Sequence, residues 1–215
     1  MRRLTDQLHF ANYKARVLTL AAICCVLASA TGCWVQSVYP FYEDSDVIID
    51  NKLVGDWSGQ AELKDCSLRV SLDATSKSYT ITLSGGHPNG DCRTNSIQGK
   101  LVQLGQQRFL DVVTADDKSS PSLETLLRVE SNTQQLTLTP LDAEWTADAL
   151  TTKNVKLQGR VRGQDSAGFP IGMVSVTLVS PSSDLRDFLV HYGDSKQAFS
   201  SSNQMRFQKK GDVTK

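Results

Sequence analysis

The sequence predicts a mainly β protein. The expectation is an antiparallel β-barrel of about nine or ten short strands with two short helical insertions, behind an N-terminal export segment. Three observations carry it. From Val47 onward, apolar residues recur at every second position within short runs. Clusters of Gly, Pro, Asn, Asp and Ser separate those runs. The long apolar run, Val17 to Ala30, stands before the patterned part and not within it.

Arg2, Arg3, Lys14 and Arg16 outweigh the single acid Asp6 at the N-terminus. The run that follows, VLTLAAICCVLASA, has about 14 uncharged residues, against roughly 20 for a spanning helix. Its basic flank and small-residue ending, Ala30-Thr31-Gly32-Cys33, distinguish it from a buried core helix. That ending resembles a lipobox, the cleavage sequence of bacterial lipoprotein signals, although Ala30 and Thr31 stand where Leu and Ala or Ser are commoner. The resemblance implies that residues 1–32 are a signal peptide and that Cys33, first in the mature chain, is lipid-modified. Several acyl chains at about 0.8 kcal/mol per buried methylene make such an anchor effectively permanent. Trp34 in place of Asp after the cysteine implies, by enterobacterial sorting rules, the outer membrane. An uncleaved signal-anchor and plain secretion after Ala30 are the alternatives.

Without the leader about 183 residues remain, enough for one domain with a sizeable core. The 23 basic and 23 acidic residues balance, and no Lys/Arg stripe appears, which argues against nucleic-acid binding. Of five cysteines, Cys24 and Cys25 leave with the leader and Cys33 takes the lipid. Cys66 and Cys92 remain as an even pair in an exported chain, where a disulfide is expected. It would close a loop of about 26 residues, worth roughly 3 to 3.5 kcal/mol on the chain-entropy account. No C-x-x-C suggests a redox site.

Residues 33–46 read as a lipid-anchored tether: Pro40 blocks a helix, and Glu43, Asp44 and Asp46 favour water. Its aromatics Trp34, Tyr39, Phe41 and Tyr42 fit either the membrane interface or docking on the domain. Residues 47–215 form the barrel domain. Clean alternation marks strands at Leu68–Leu72, Tyr79–Leu83, Leu136–Leu138 and Val174–Leu178. Less regular runs at Gln98–Leu104, Arg108–Val113, Leu123–Val129 and Val155–Val161 complete the set. One helix is expected over AEWTADAL with Asp142 as N-cap and Glu144 in its first turn. A second opens at Ser180-Pro181, with Pro181 as first helical residue, and stops at Gly193. Leu185, Phe188, Leu189 and Tyr192 give it one apolar stripe. A last strand carries Met205 and Phe207.

Leu53-Val54-Gly55-Asp56-Trp57 resembles the G-x-W opening strand of lipocalins. That resemblance implies a lipocalin-like barrel with Trp57 plugging its closed end. The longer pattern, LVGDW, then PLDAEW, then DLRDFLVHYGDSKQAF, is similar to a group of uncharacterised bacterial membrane lipoproteins. It departs from them at Thr146, where they have Leu, and at His191, one position early. The resemblance implies fold and envelope address and no particular ligand.

Candidate sites read mainly as structure. Asp142 and Glu144 beside Trp145 could form an acid/base pair only if desolvated in a cleft; helix capping accounts for both. His191 lies near a helix C-terminus, where a cation is favoured. His87, Asp91 and Cys92 fall short of a zinc set if Cys92 bridges. No G-x-S-x-G or phosphate-cradling loop occurs. The expectation is therefore no catalytic residue, no metal and no cofactor. Two functions follow: a non-enzymatic envelope lipoprotein working through a protein partner, or a carrier holding a small apolar ligand in the barrel.

Overall fold

The computed structural model describes residues 34–85, 95–114, 122–152, 155–164 and 170–211. All lie in a unit running Cys33–Lys215. The expected signal peptide (residues 1–32), Cys33, His87, Asp91 and Cys92 fall outside the described residues.

In chain order the strands are β1 (Val35–Ser37), β2 (Gly55–Gly59), β3 (Cys66–Asp73), β4 (Ser78–Gly85), β5 (Asn95–Leu104) and β6 (Gln107–Thr114). Then come β7 (Leu123–Ser131), β8 (Gln135–Pro140), helix α1 (Ala143–Thr152), β9 (Gly159–Gln164) and β10 (Pro170–Leu178). Helix α2 (Ser182–Tyr192) and β11 (Met205–Lys209) finish the chain. Strands β2 to β8 pair in sequence, and β11 bonds to both β8 and β2. The result is a closed antiparallel barrel of eight strands with no free edge.

The other three strands form a side sheet, where a single larger barrel was expected. β7 is long enough to serve two neighbours on one edge. Leu127–Ser131 pairs with β8, while Glu124 and Thr125 pair with Ser37 and Gln36 of β1. β1 then runs parallel to β10, and β9 closes the row antiparallel to β10. The strand expected at Val155–Val161 begins instead at Gly159, and Leu157 before it is buried.

Alternation divides the core in two. Leu68, Val70, Tyr79, Ile81, Leu136 and Leu138, the residues that alternate most cleanly, point into the barrel with Trp57, Leu101, Leu110, Val129 and Phe207. A second core lies outside the barrel wall. There Val102, Leu104, Phe109 and Leu126 of the wall meet Val35, Val176 and Leu178 of the side sheet and Leu185, Phe188 and Leu189 of α2.

Both helices form, with local adjustments. Asp142 Oδ1 accepts the Trp145 N–H at 2.8 Å, the N-cap bond expected for α1. Pro181 is extended (φ −62°, ψ 156°), so it caps α2 instead of entering it. Its missing N–H costs nothing there either. Gly193 ends α2, but with right-handed φ −63° and not the left-handed turn usual for such a stop. Space is what demands glycine: a Cβ would lie 2.5 Å from the Leu189 carbonyl oxygen and 2.8 Å from the Phe109 ring.

The stretch read as a tether is built into the domain. Val35–Ser37 is β1, Phe41 is fully buried, and Asp46 is 7% exposed. Arg186 of α2 donates to both Asp46 carboxylate oxygens at 2.9 and 3.0 Å. Period-two reading missed β1 because three residues cannot establish a period.

Candidate functional site

The barrel interior is where a carrier would hold its ligand, and here it is filled. Among the described residues, a cavity of about 10 Å³ is left inside, lined by Leu53, Leu68, Val70, Tyr79, Ile81, Leu110 and neighbours. That is about one water's worth of room. Every lining residue except Tyr79 is a hydrocarbon, and the Tyr79 hydroxyl is engaged. It accepts the Asp50 N–H at 2.8 Å and donates to the Asp50 carbonyl at 3.3 Å.

That Asp50 pairing belongs to a cover over one end of the barrel. Asp50 also accepts the Arg108 Nη1 at 2.6 Å, and Arg108 Nη2 donates to Ser131 Oγ at 3.1 Å. Leu53, in the short turn Asn51–Leu53, fills the end with Trp57 beneath it. Trp57 is fully buried and its Nε1 donates to the Leu53 carbonyl at 3.0 Å. Lys209 lies over the indole at 5.1 Å and donates to the Val54 carbonyl at 3.1 Å. Gly55 has φ +137°, a conformation that only glycine adopts readily. Trp57 is thus a packing plug with no open ring face.

A feature that sequence reasoning missed lies on the outer wall. Asp111 of β6 stands beside Lys100 and Leu126 in the sheet register, on the face that the 38–46 segment covers. Its Oδ2 accepts the Phe41 N–H at 3.0 Å, and Oδ1 has no hydrogen-bond partner. Burial pushes the Asp111 carboxyl well above its ordinary pKa; the Phe41 bond opposes this and the Glu124 charge adds to it. Burial raises Glu124 as well. Tyr42 is pushed up to about 12 by burial, then by the charges of Asp111, Glu124 and Asp44. The buried Asp111 carboxyl, accepting the Phe41 backbone N–H, is a seat for the N-terminal segment. The signal for it was a lone acid inside FLDVV, an otherwise apolar strand.

The remaining candidates do not converge. Asp142 spends Oδ1 on its cap and Oδ2 on the Asn203 side-chain amide at 3.2 Å. Glu144 is exposed, and Trp145 packs against Phe188 and Tyr192. His191 is exposed and edge-on to Tyr192 at 4.5 Å. Cys66 is buried at the start of β3, opposite Gly85, after which the chain leaves the described residues on its way to Cys92. Among the described residues, no three His, Cys, Asp or Glu side chains lie close enough to hold a metal, and no helix is long and apolar enough to cross a membrane.

Comparison with protein-family models, curated proteins and solved structures finds no match for this chain. Function therefore rests on its own geometry: a filled barrel, a covered end, and a side sheet whose outward face is open.

Proposed function

We propose that the chain is a non-enzymatic lipoprotein of the cell envelope, anchored through Cys33 at the outer membrane and facing the periplasm. It works by protein–protein contacts made by the outside of its barrel. The observation that carries this is the filled interior: a cavity of about 10 Å³ has no room for a ligand larger than water. A closed, apolar-lined barrel is also the architecture of lipocalin-like carriers. That keeps a second reading, a small apolar ligand held inside, which then requires the interior side chains to move apart.

Three features support the envelope address: the basic flank and apolar run of residues 1–32, the lipobox-like ending at Cys33, and the Cys66 and Cys92 pair. The position of Cys66 on the hairpin that leads toward Cys92 suits a bridge. Native mass spectrometry of residues 33–215, carrying Cys33→Ser and purified from periplasm, tests the whole reading. A ligand-free chain with the mass deficit of one disulfide is expected. A co-purified apolar molecule would move the carrier reading to first place.

A further inference from the structure

Among the described residues six large apolar side chains are exposed, and four of them flank the strands of the side sheet: Trp34 (42%) just before β1, Val38 (37%) and Tyr39 (48%) after it, and Val179 (46%) just after β10. Register shows how that face is built. Val35 and Ser37 are buried toward the outer core, so Trp34, Gln36 and Val38 point the other way. Gln36 pairs with Thr177, and Thr177 with Arg160. Ser175 pairs with Arg162. The Val38 N–H donates to the Leu178 carbonyl at 3.1 Å, which sets Val38 beside Val179. One open face therefore carries Trp34, Val38 and Val179, with exposed Arg160 and Arg162 on its outer strand.

We propose that this outward face of the β1–β10–β9 sheet lies against an anionic lipid bilayer and sets the orientation of the barrel on the membrane. The proposal rests on the anchor reading above. A membrane attachment at Cys33 leaves one peptide unit, about 3.8 Å, before Trp34. A lipid on Cys33 then places Trp34 inside the headgroup layer by covalent necessity. Trp and Tyr are the side chains that favour this layer, and Arg is suited to lipid phosphates. Apolar groups at both ends of β1, Trp34 at one and Val38 with Val179 at the other, favour a strand lying along the surface. A strand standing upright would leave Val38 and Val179 in water at no benefit.

The test uses the lipidated full-length product reconstituted in vesicles of phosphatidylethanolamine and phosphatidylglycerol, some with brominated acyl chains. Intact mass first establishes whether Cys33 is acylated. Bromolipid is then expected to quench the Trp34 share of the emission, a loss abolished by Trp34→Phe, since Trp57 is sealed in the barrel and Trp145 packs against Phe188 and Tyr192. A spin label at Val179→Cys is expected to lose access to a water-soluble relaxer on these vesicles. Replacing phosphatidylglycerol with phosphatidylcholine, or making Arg160→Glu with Arg162→Glu, should restore that access. An acylated protein with unquenched Trp34, or with Val179 wet on anionic vesicles, overturns the proposal and leaves the anchor standing. A label shielded only in native membranes, and not on protein-free vesicles, overturns it in favour of a protein partner. A chain cut near Ala30 and unacylated removes the anchor reading, and this proposal with it.

Discussion

Truncating one interior side chain separates a filled barrel from a collapsed carrier. Leu110 lines the residual cavity and lies in register between Leu101 and Leu127 on the neighbouring strands. Leu110→Ala removes three carbons, a transfer loss of about 2.4 kcal/mol at about 0.8 kcal/mol each. The void left behind, roughly 70 Å³, adds about 1.7 kcal/mol at about 24 cal/mol per Å³. The sum, about 4 kcal/mol, applies in full only if the wall cannot close in. Each barrel strand is hydrogen-bonded on both sides, so the wall resists collapse. For a domain of this size the loss lowers Tm by roughly 8 to 16 °C. Urea titration followed by Trp57 fluorescence measures the free energy directly. Methyl chemical shifts under xenon measure the void, which should stay dry and take up the gas. The wild-type methyls should not respond. A cost below about 1 kcal/mol, or a wild type that takes up xenon as readily as the variant, would refute the filled interior. Either result would return the carrier reading to the front.

Other consequences concern the docked N-terminal segment and the plug. Asp111 and Glu124 hold protons more tightly folded than unfolded, so their contribution is complete below the ordinary carboxyl pKa of about 4. It is lost as pH rises through their raised values; Asp111→Asn should flatten that decline in a series of urea midpoints, and an unchanged slope would contradict the assignment. Asp46 behaves oppositely: burial, the largest single influence, works against its ionised form, but the Arg186 hydrogen bond, the Glu43 N–H bond and the Arg186 charge together outweigh it and lower the pKa. Its contribution is present above about 4 and lost as pH falls through the depressed value. Arg186→Gln should cost about 1 to 3 kcal/mol near neutral pH and speed amide exchange along 38–46. Lys209→Met should cost about 0.5 to 2 kcal/mol and shift Trp57 emission, because the cation over the ring is replaced by a thioether.

What the sequence revealed, and what it hid, follows from how many faces of each strand are covered. β3 and β4 alternate cleanly because one face is packed and the other meets water; β8 does so only as far as Leu138, since Thr139 beside it is buried too. The irregular runs are those covered twice. In β7, Thr125 through Val129 are all buried, since the inner face fills the barrel and the outer meets the side sheet and helices. Irregular alternation at Gln98–Leu104, Arg108–Val113 and Leu123–Val129 was thus itself a sign of a second layer over that part of the wall. Asp111 was hidden for the same reason: in a strand buried on both faces, an acid looks like a breach of pattern when it is a seat for the Phe41 amide. The Asp142 cap was legible because capping needs only neighbours in sequence.

The division between β7's two neighbours connects this architecture to function. Had β8 paired along all of β7, the barrel would present one uniform wall, and the chain after residue 33 would have no edge to join. Because β8 meets only Leu127–Ser131, the free half of that edge takes up β1. The strand nearest the expected anchor is therefore hydrogen-bonded to the barrel wall itself. A flexible linker would let the domain tumble above its anchor; β1, the Asp111–Phe41 bond and the Asp46–Arg186 pair leave almost no linker at all. With the proposed anchor at Cys33, a barrel so held would present one fixed side to the membrane and another away from it. Its uncovered β8–β11 wall, where Gln135, Thr137, Gln204 and Arg206 line a shallow polar trough, is then available to a partner without any search in orientation. On the proposed function, a long flexible insert between Cys33 and Val35 should therefore leave the urea midpoint unchanged while weakening capture of a partner in a membrane pull-down.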